Sequence, residues 1–204
     1  MKDIYIFFFE TQFGAGRMIR FITRNKFSHV ALSFDPDTAE LYSYARYRYH
    51  EPILSGFGIE ATDRYARFGK PMDIKVCRIP VTDEHYARIT RHLEEYTENQ
   101  SRTRYNFFDV LAYPFHRHIE LELCHTCLSF MLELLEIDDL HSINELEHRL
   151  EGNEIYEGKL SAFEHAPSVS EIDFFERRGR PYVYSRSGLT LLTLTFSLVK
   201  KYVS

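Results

Sequence analysis

The segment Leu121–Ile137, LELCHTCLSFMLELLEI, limits what this chain can fold into more than any other stretch. Apolar side chains recur at Cys127, Phe130, Met131 and Leu134. Leu128, Leu132 and Leu135 widen that face until only Ser129, Glu133 and Glu136 leave a polar stripe. A helix of this kind is buried on most sides. Thr126 is a natural N-cap, which puts Cys127 at the first helical position, where unpaired amide hydrogens and the helix dipole favour a thiolate. Taken alone, a cysteine on an apolar helix is a packing residue. It becomes chemically interesting only if a histidine elsewhere in the chain can reach it.

A chain of 204 residues is long enough for one domain with a full core and too short for two large ones. The expected division is a main domain over residues 1–160 and an extension over 161–204 packed on it. Hydrophobic residues make up 44% and no run of eighteen apolar residues occurs, so no transmembrane span is expected. The formal net charge of -5 argues against nucleic-acid binding, although Arg17, Arg20, Arg24 and Lys26 cluster early and acids crowd between Glu133 and Glu157. Both runs read as solvated helix faces. The opening MKDIYIFFFE lacks a basic leader and a cleavage site, and three cysteines suit a reducing compartment, so a cytoplasmic location is expected.

Ile4 to Phe9 is a continuous β-branched and aromatic run that predicts a buried, central strand. Gly14 and Gly16 precede RMIRFITR, a short amphipathic helix. SHVALSFD then predicts a strand from His29 to Phe34, DPDTAE a turn, and ELYSYAR the hairpin partner. Tyr47 to Gly69, with Pro52, Gly56, Gly58 and Gly69, reads as an irregular excursion. MDIKVCRIPV is a further strand with Cys77 in the core. Thr82 caps a helix whose buried face carries Tyr86, Ile89, Leu93 and Tyr96, ending near Asn99. YNFFDVLAYPF is a second apolar helix stopped by Pro114. Asp138 to Glu151 predicts a charged helix closed by Gly152, and EGKLSAF a surface connection. The apolar tail 188–203 reads first as a terminal strand and second as an interfacial or partner-binding segment.

A thiol hydrolase needs a thiolate, a histidine that shuttles its proton and a polar group that orients the imidazole. His29 is the best base, because it opens a strand and its ring can emerge at a sheet edge beside a helix start. FSHVALSFD followed by LYSYAR, and much later TCLSFMLELL, resembles the permuted papain-like cysteine hydrolases of the NlpC type, the broad group that includes lecithin:retinol acyltransferase. Cys127, Phe130 and Leu134 match that group's cysteine helix. GAGRMIRFITRNKFSHV, YSYAR followed by GFGIE, and RYNFFDVL carry further similarity, over roughly residues 3 to 137.

The resemblance implies an α+β fold, with an antiparallel sheet packed against helices and a central cysteine-bearing helix. It also implies thioester chemistry, in which Cys127 attacks an amide or ester of a peptide or lipid, His29 acts as general base, no cofactor takes part, and the aromatic stretch Tyr42 to Phe57 walls the substrate cleft. The third polar residue of the group sits on the strand after the histidine, where Ser43 is the better match and Tyr44 its neighbour. A serine is a weak orienter, and Glu60 in GFGIE is a substitute if the irregular segment folds back. Read plainly, Glu60 is a solvated loop carboxylate. Cys124 has Cys127 rather than Phe three residues on, so the pattern selects Cys127. Two rival readings use the same residues: a catalytically silent binding module of the same fold, or a zinc site built from His116, His118, Cys124 and Cys127.

Overall fold

The computed structural model describes residues 1–11, 26–37, 40–60, 64, 72–112, 115, 117–162 and 174–203. Its strands, in chain order, are β1 (Lys2–Phe9), β2 (His29–Ser33), β3 (Leu41–Arg46), β4 (Ser55–Glu60), β5 (Asp73–Val81), β6 (Arg104–Tyr105), β7 (Cys124–His125) and β8 (Glu154–Lys159). The helices are α1 (Asp83–Glu98), α2 (Phe107–Ala112), α3 (Cys127–Leu135), α4 (Ile143–Arg149) and α5 (Arg180–Val203). Six strands form one antiparallel sheet in the order β4-β3-β2-β1-β5-β8, which makes the protein α+β.

β1 is central as expected, and its unbroken apolar run follows from having both faces covered. Ile4, Ile6 and Phe8 join Val30, Leu32, Tyr44 and Phe57 in the larger core, beneath Ile89 and Leu93 of α1, Phe130 and Met131 of α3, and Leu146 of α4. Phe7 and Phe9 point the other way, into a smaller core with Ala31, Leu41, Ile74 and Val76. Alternate side chains on one strand therefore anchor two different layers. Thr82 caps α1 by accepting from the His85 amide at 3.1 Å, and Ile89, Leu93 and Tyr96 form its buried face.

Three expectations change. The segment predicted to be irregular contains β4, paired along its whole length with β3. Gly56 misled because it permits close approach rather than a turn: a Cβ there would lie 2.9 Å from the Thr103 carbonyl oxygen. EGKLSAF is not a loose connection, since Glu154–Lys159 pairs with β5 as an edge strand. Its polar, exposed side chains hide the strand pattern.

The tail, expected to be a strand, is the 24-residue helix α5. Alternating Leu and Thr mimic a strand period there, but Thr190 and Leu194 are buried at helical spacing. The Thr193 and Thr195 hydroxyls donate to the Leu189 and Leu191 carbonyls at 2.9 Å, so the threonines are satisfied within the helix. Leu194 buries against Leu121 and Cys124, and Lys201 Nζ donates to the Glu120 carbonyl at 2.8 Å.

The charged helix expected over 138–151 is shorter, running over Ile143–Arg149 behind the N-cap Ser142, with Gly152 at φ +86° following it. The helix expected on Arg17–Arg24 lies outside the described residues. Among the described residues, no helix is long and apolar enough to cross a membrane.

Candidate active site

The start of α3 is fixed from two directions. Thr126 Oγ1 accepts from the Ser129 amide at 3.0 Å, while Ser129 Oγ accepts from the Thr126 amide at 2.9 Å, a reciprocal capping box. Just upstream, β7 lies parallel to β6, so Cys124 stands beside Arg104 and His125 beside Tyr105. Asn106 ties the same turn by donating from Nδ2 to the Ile119 carbonyl at 2.5 Å, and its own amide donates to the His125 carbonyl at 2.9 Å. Leu123 holds a left-handed φ of 54° at the entry, an uncommon conformation for a branched residue.

Phe130, one turn after the cysteine, is fully buried. Its ring lies 5.1 Å from Tyr44, 5.6 Å from Phe57 and 5.3 Å from Tyr96. Of the aromatics expected to wall a substrate cleft, Tyr42, Tyr47 and Tyr49 are half-buried, whereas Tyr44 and Phe57 are core residues that seat the cysteine helix on β3 and β4. They were misread because a run of aromatics looks alike in sequence whether it lines a cleft or fills a core.

His29 is the first residue of β2 and is buried. Its Nε2 lies 3.1 Å from Glu60 Oε1 at the far end of β4. Ser43 Oγ donates to the same carboxylate oxygen, and Arg64 Nη1 lies 3.1 Å from Glu60 Oε2. The Cys127 side chain is close enough to the His29 ring to raise its pKa. The order is Cys127, His29, Glu60, with Ser43 and Arg64 behind the carboxylate. Glu60 is thus a 3% exposed strand residue and not a solvated loop carboxylate. Ser43 acts on the histidine's partner: with Leu32 opposite Tyr42, the antiparallel register carries Ser43 beside Ala31 and not beside His29.

Electrostatics follow from this arrangement. Burial is the largest influence on His29 and pulls its pKa down. The Glu60 charge, the nearby Cys127 and the hydrogen bond to Glu60 outweigh it and raise the ring to about 10. Burial likewise pushes Glu60 up, but Arg64, His29 and Ser43 together hold it well below the usual carboxylate range. Cys77 is pushed up to about 12 and Cys124 to about 11, burial being the main cause in each. Neither is placed to act as a thiolate, and all three cysteines are free.

Tyr105 is a residue that sequence reasoning passed over. It is half-buried beside Cys127, and its pKa is raised first by burial and then by the neighbouring sulfur. The only sequence signal is its place in RYNFFDVL. No family model, no curated protein and no solved structure matches the chain.

The residues of the zinc reading are placed differently. His118 Nδ1 lies 3.4 Å from Asp109, its Nε2 lies 3.0 Å from the Leu140 carbonyl, and Cys124 is buried against Leu121 and Leu194. His116 lies outside the described residues. Among the described residues, no three His, Cys, Asp or Glu side chains form a group able to hold a metal ion. His125, two residues before Cys127, is occupied by the Tyr96 hydroxyl at 2.9 Å and Glu133 at 3.3 Å, and burial lowers its pKa.

Proposed function

We propose that the protein is a cysteine-dependent acyl hydrolase or acyltransferase, built on a permuted papain-like frame in which the histidine strand precedes the cysteine helix. The reading rests on one observation, the placement of Cys127 beside a His29 ring whose Nε2 is held by Glu60 at 3.1 Å.

The steps follow from that placement. His29, whose cationic form Glu60 stabilises, holds the proton taken from the Cys127 thiol, and the sulfur attacks the acyl carbon of an amide or ester. The tetrahedral oxyanion falls at the start of α3, where the Cys127 N–H and the Tyr105 hydroxyl are the donors. As the bond to the leaving amine or alcohol breaks, His29 returns the proton to it and a thioester remains on Cys127. Water, an alcohol or an amine then gives its proton to His29, attacks the thioester and releases the acyl product. Glu60 orients the ring and stabilises its cationic form, while Ser43 and Arg64 hold the carboxylate.

A thiol-directed acyl probe tests the reading. Labelling of the whole chain is expected at Cys127, absent in Cys127→Ala and reduced at least about a hundredfold in His29→Ala, the usual scale for losing a general base. Equal labelling of Cys127 with and without His29 would refute the dyad and favour a silent binding module.

A further inference from the structure

α5 is apolar on two opposite sides, and among the described residues only one is covered. Thr190 and Leu194 are buried against the body of the protein, with Ser197 and Leu198 half-buried on the same stripe. On the opposite side Leu189, Leu192, Phe196 and Val199 recur at helical spacing and are 53%, 70%, 72% and 49% exposed. Tyr182, Tyr184 and Tyr202 stand exposed near its two ends. Leu111 and Phe115, on and just after α2, are also exposed, and α2 is the helix whose Phe107 and Phe108 pack against Leu194. A folded surface does not carry a contiguous apolar stripe of this length without a partner.

Charge indicates which partner. Residues 177–203 hold Arg177, Arg178, Arg180, Arg186, Lys200 and Lys201 and no Asp or Glu, in a chain whose net charge is -5. Arg180, Arg186 and Lys200 make no ion pair among the described residues. A second copy of the chain laid on this face would bring two wholly basic helices together, so self-association is opposed by charge. An anionic lipid surface is complementary on both counts, since its headgroups take the lysines and arginines while the acyl boundary takes the Leu and Phe side chains. Tyrosines at both ends of the apolar stripe suit the headgroup level.

We propose that α5 docks the protein on anionic membrane surfaces. The helix lies in the plane of the headgroups, with Leu189, Leu192, Phe196 and Val199 inserted and the domain standing on its other side.

Co-sedimentation of the full-length chain with phosphatidylcholine vesicles, with and without phosphatidylglycerol, tests this by binding alone. Binding is expected to the anionic vesicles, to be weak on neutral ones and to fall with added salt. The double variant Arg186→Ser/Lys200→Ser should weaken binding at least about tenfold, given about fivefold per basic residue near such a surface. Leu192→Glu/Phe196→Glu, at exposed positions, should abolish binding and leave the circular dichroism spectrum unchanged. Absence of binding to either vesicle overturns the proposal, as does binding that persists in Leu192→Glu/Phe196→Glu. A concentration-dependent dimer in solution, made monomeric by Leu192→Glu/Phe196→Glu, overturns it in favour of a self-association face.

Discussion

Replacing Glu60 with Gln keeps the size of the side chain and removes its charge 3.1 Å from His29 Nε2. At that separation and an effective dielectric of about 20, the lost attraction is about 5 kcal/mol, or about 4 pH units at 1.36 kcal/mol each. The imidazole stands at about 10 in the intact protein, so the variant should titrate near pH 6. Burial, which opposes the charged ring, is unchanged, and Arg64 loses its neutralising partner, which acts in the same direction. Imidazole carbon resonances in histidine-labelled protein report this directly, with His29→Gln identifying the signal among ten histidines. The alkaline limb of Cys127 acylation should move down with the ring. A His29 signal displaced by less than about one pH unit, in a variant with native circular dichroism, would show that Glu60 does not set the charge of the base.

The same pair sets a pH window for stability. Glu60, held below its usual 4.5, contributes above that value and loses its contribution as pH falls through it, whereas His29, raised from 6.5, contributes below 6.5 and loses its contribution as pH climbs toward about 10. Thermal unfolding should therefore show the largest difference between wild type and Glu60→Gln between pH 4.5 and 6.5, shrinking on both sides. Phe130→Ala, which empties a fully buried ring site under α3, should cost about 3–5 kcal/mol in chemical denaturation. A loss below about 1 kcal/mol would mean that the aromatic cluster does not seat the helix.

The central strand, the histidine strand and its partner, the capped helix after Thr82 and the cysteine helix were all legible, because each carries its own period and its own cap. The meeting of Cys127 with His29 was anticipated from the order of strand and helix. The third residue was left between Ser43 and Glu60. Glu60 sits in a glycine-rich stretch that looks like a loop, and its approach to His29 depends on β4 pairing with β3, a tertiary fact that no local pattern records. Tyr105 was missed for the same reason, since it reaches Cys127 only because a two-residue parallel ladder aligns it with His125. The tail shows the converse failure, where Leu–Thr alternation supported a strand until burial at Thr190 and Leu194 chose the helix.

The sheet order also bears on how the molecule comes together. β1 to β4 lie side by side in the order in which they are synthesised, so their pairings can close early and locally. β5 then crosses back to β1, and Cys127 emerges only after it. His29, Ser43 and Glu60 can thus meet while the nucleophile is still unmade. Docking of α3 onto β2 and β3 is a late, long-range event. Substitutions in the carboxylate–imidazole pair should accordingly weigh on the folding rate, and those at the cysteine helix chiefly on the unfolding rate.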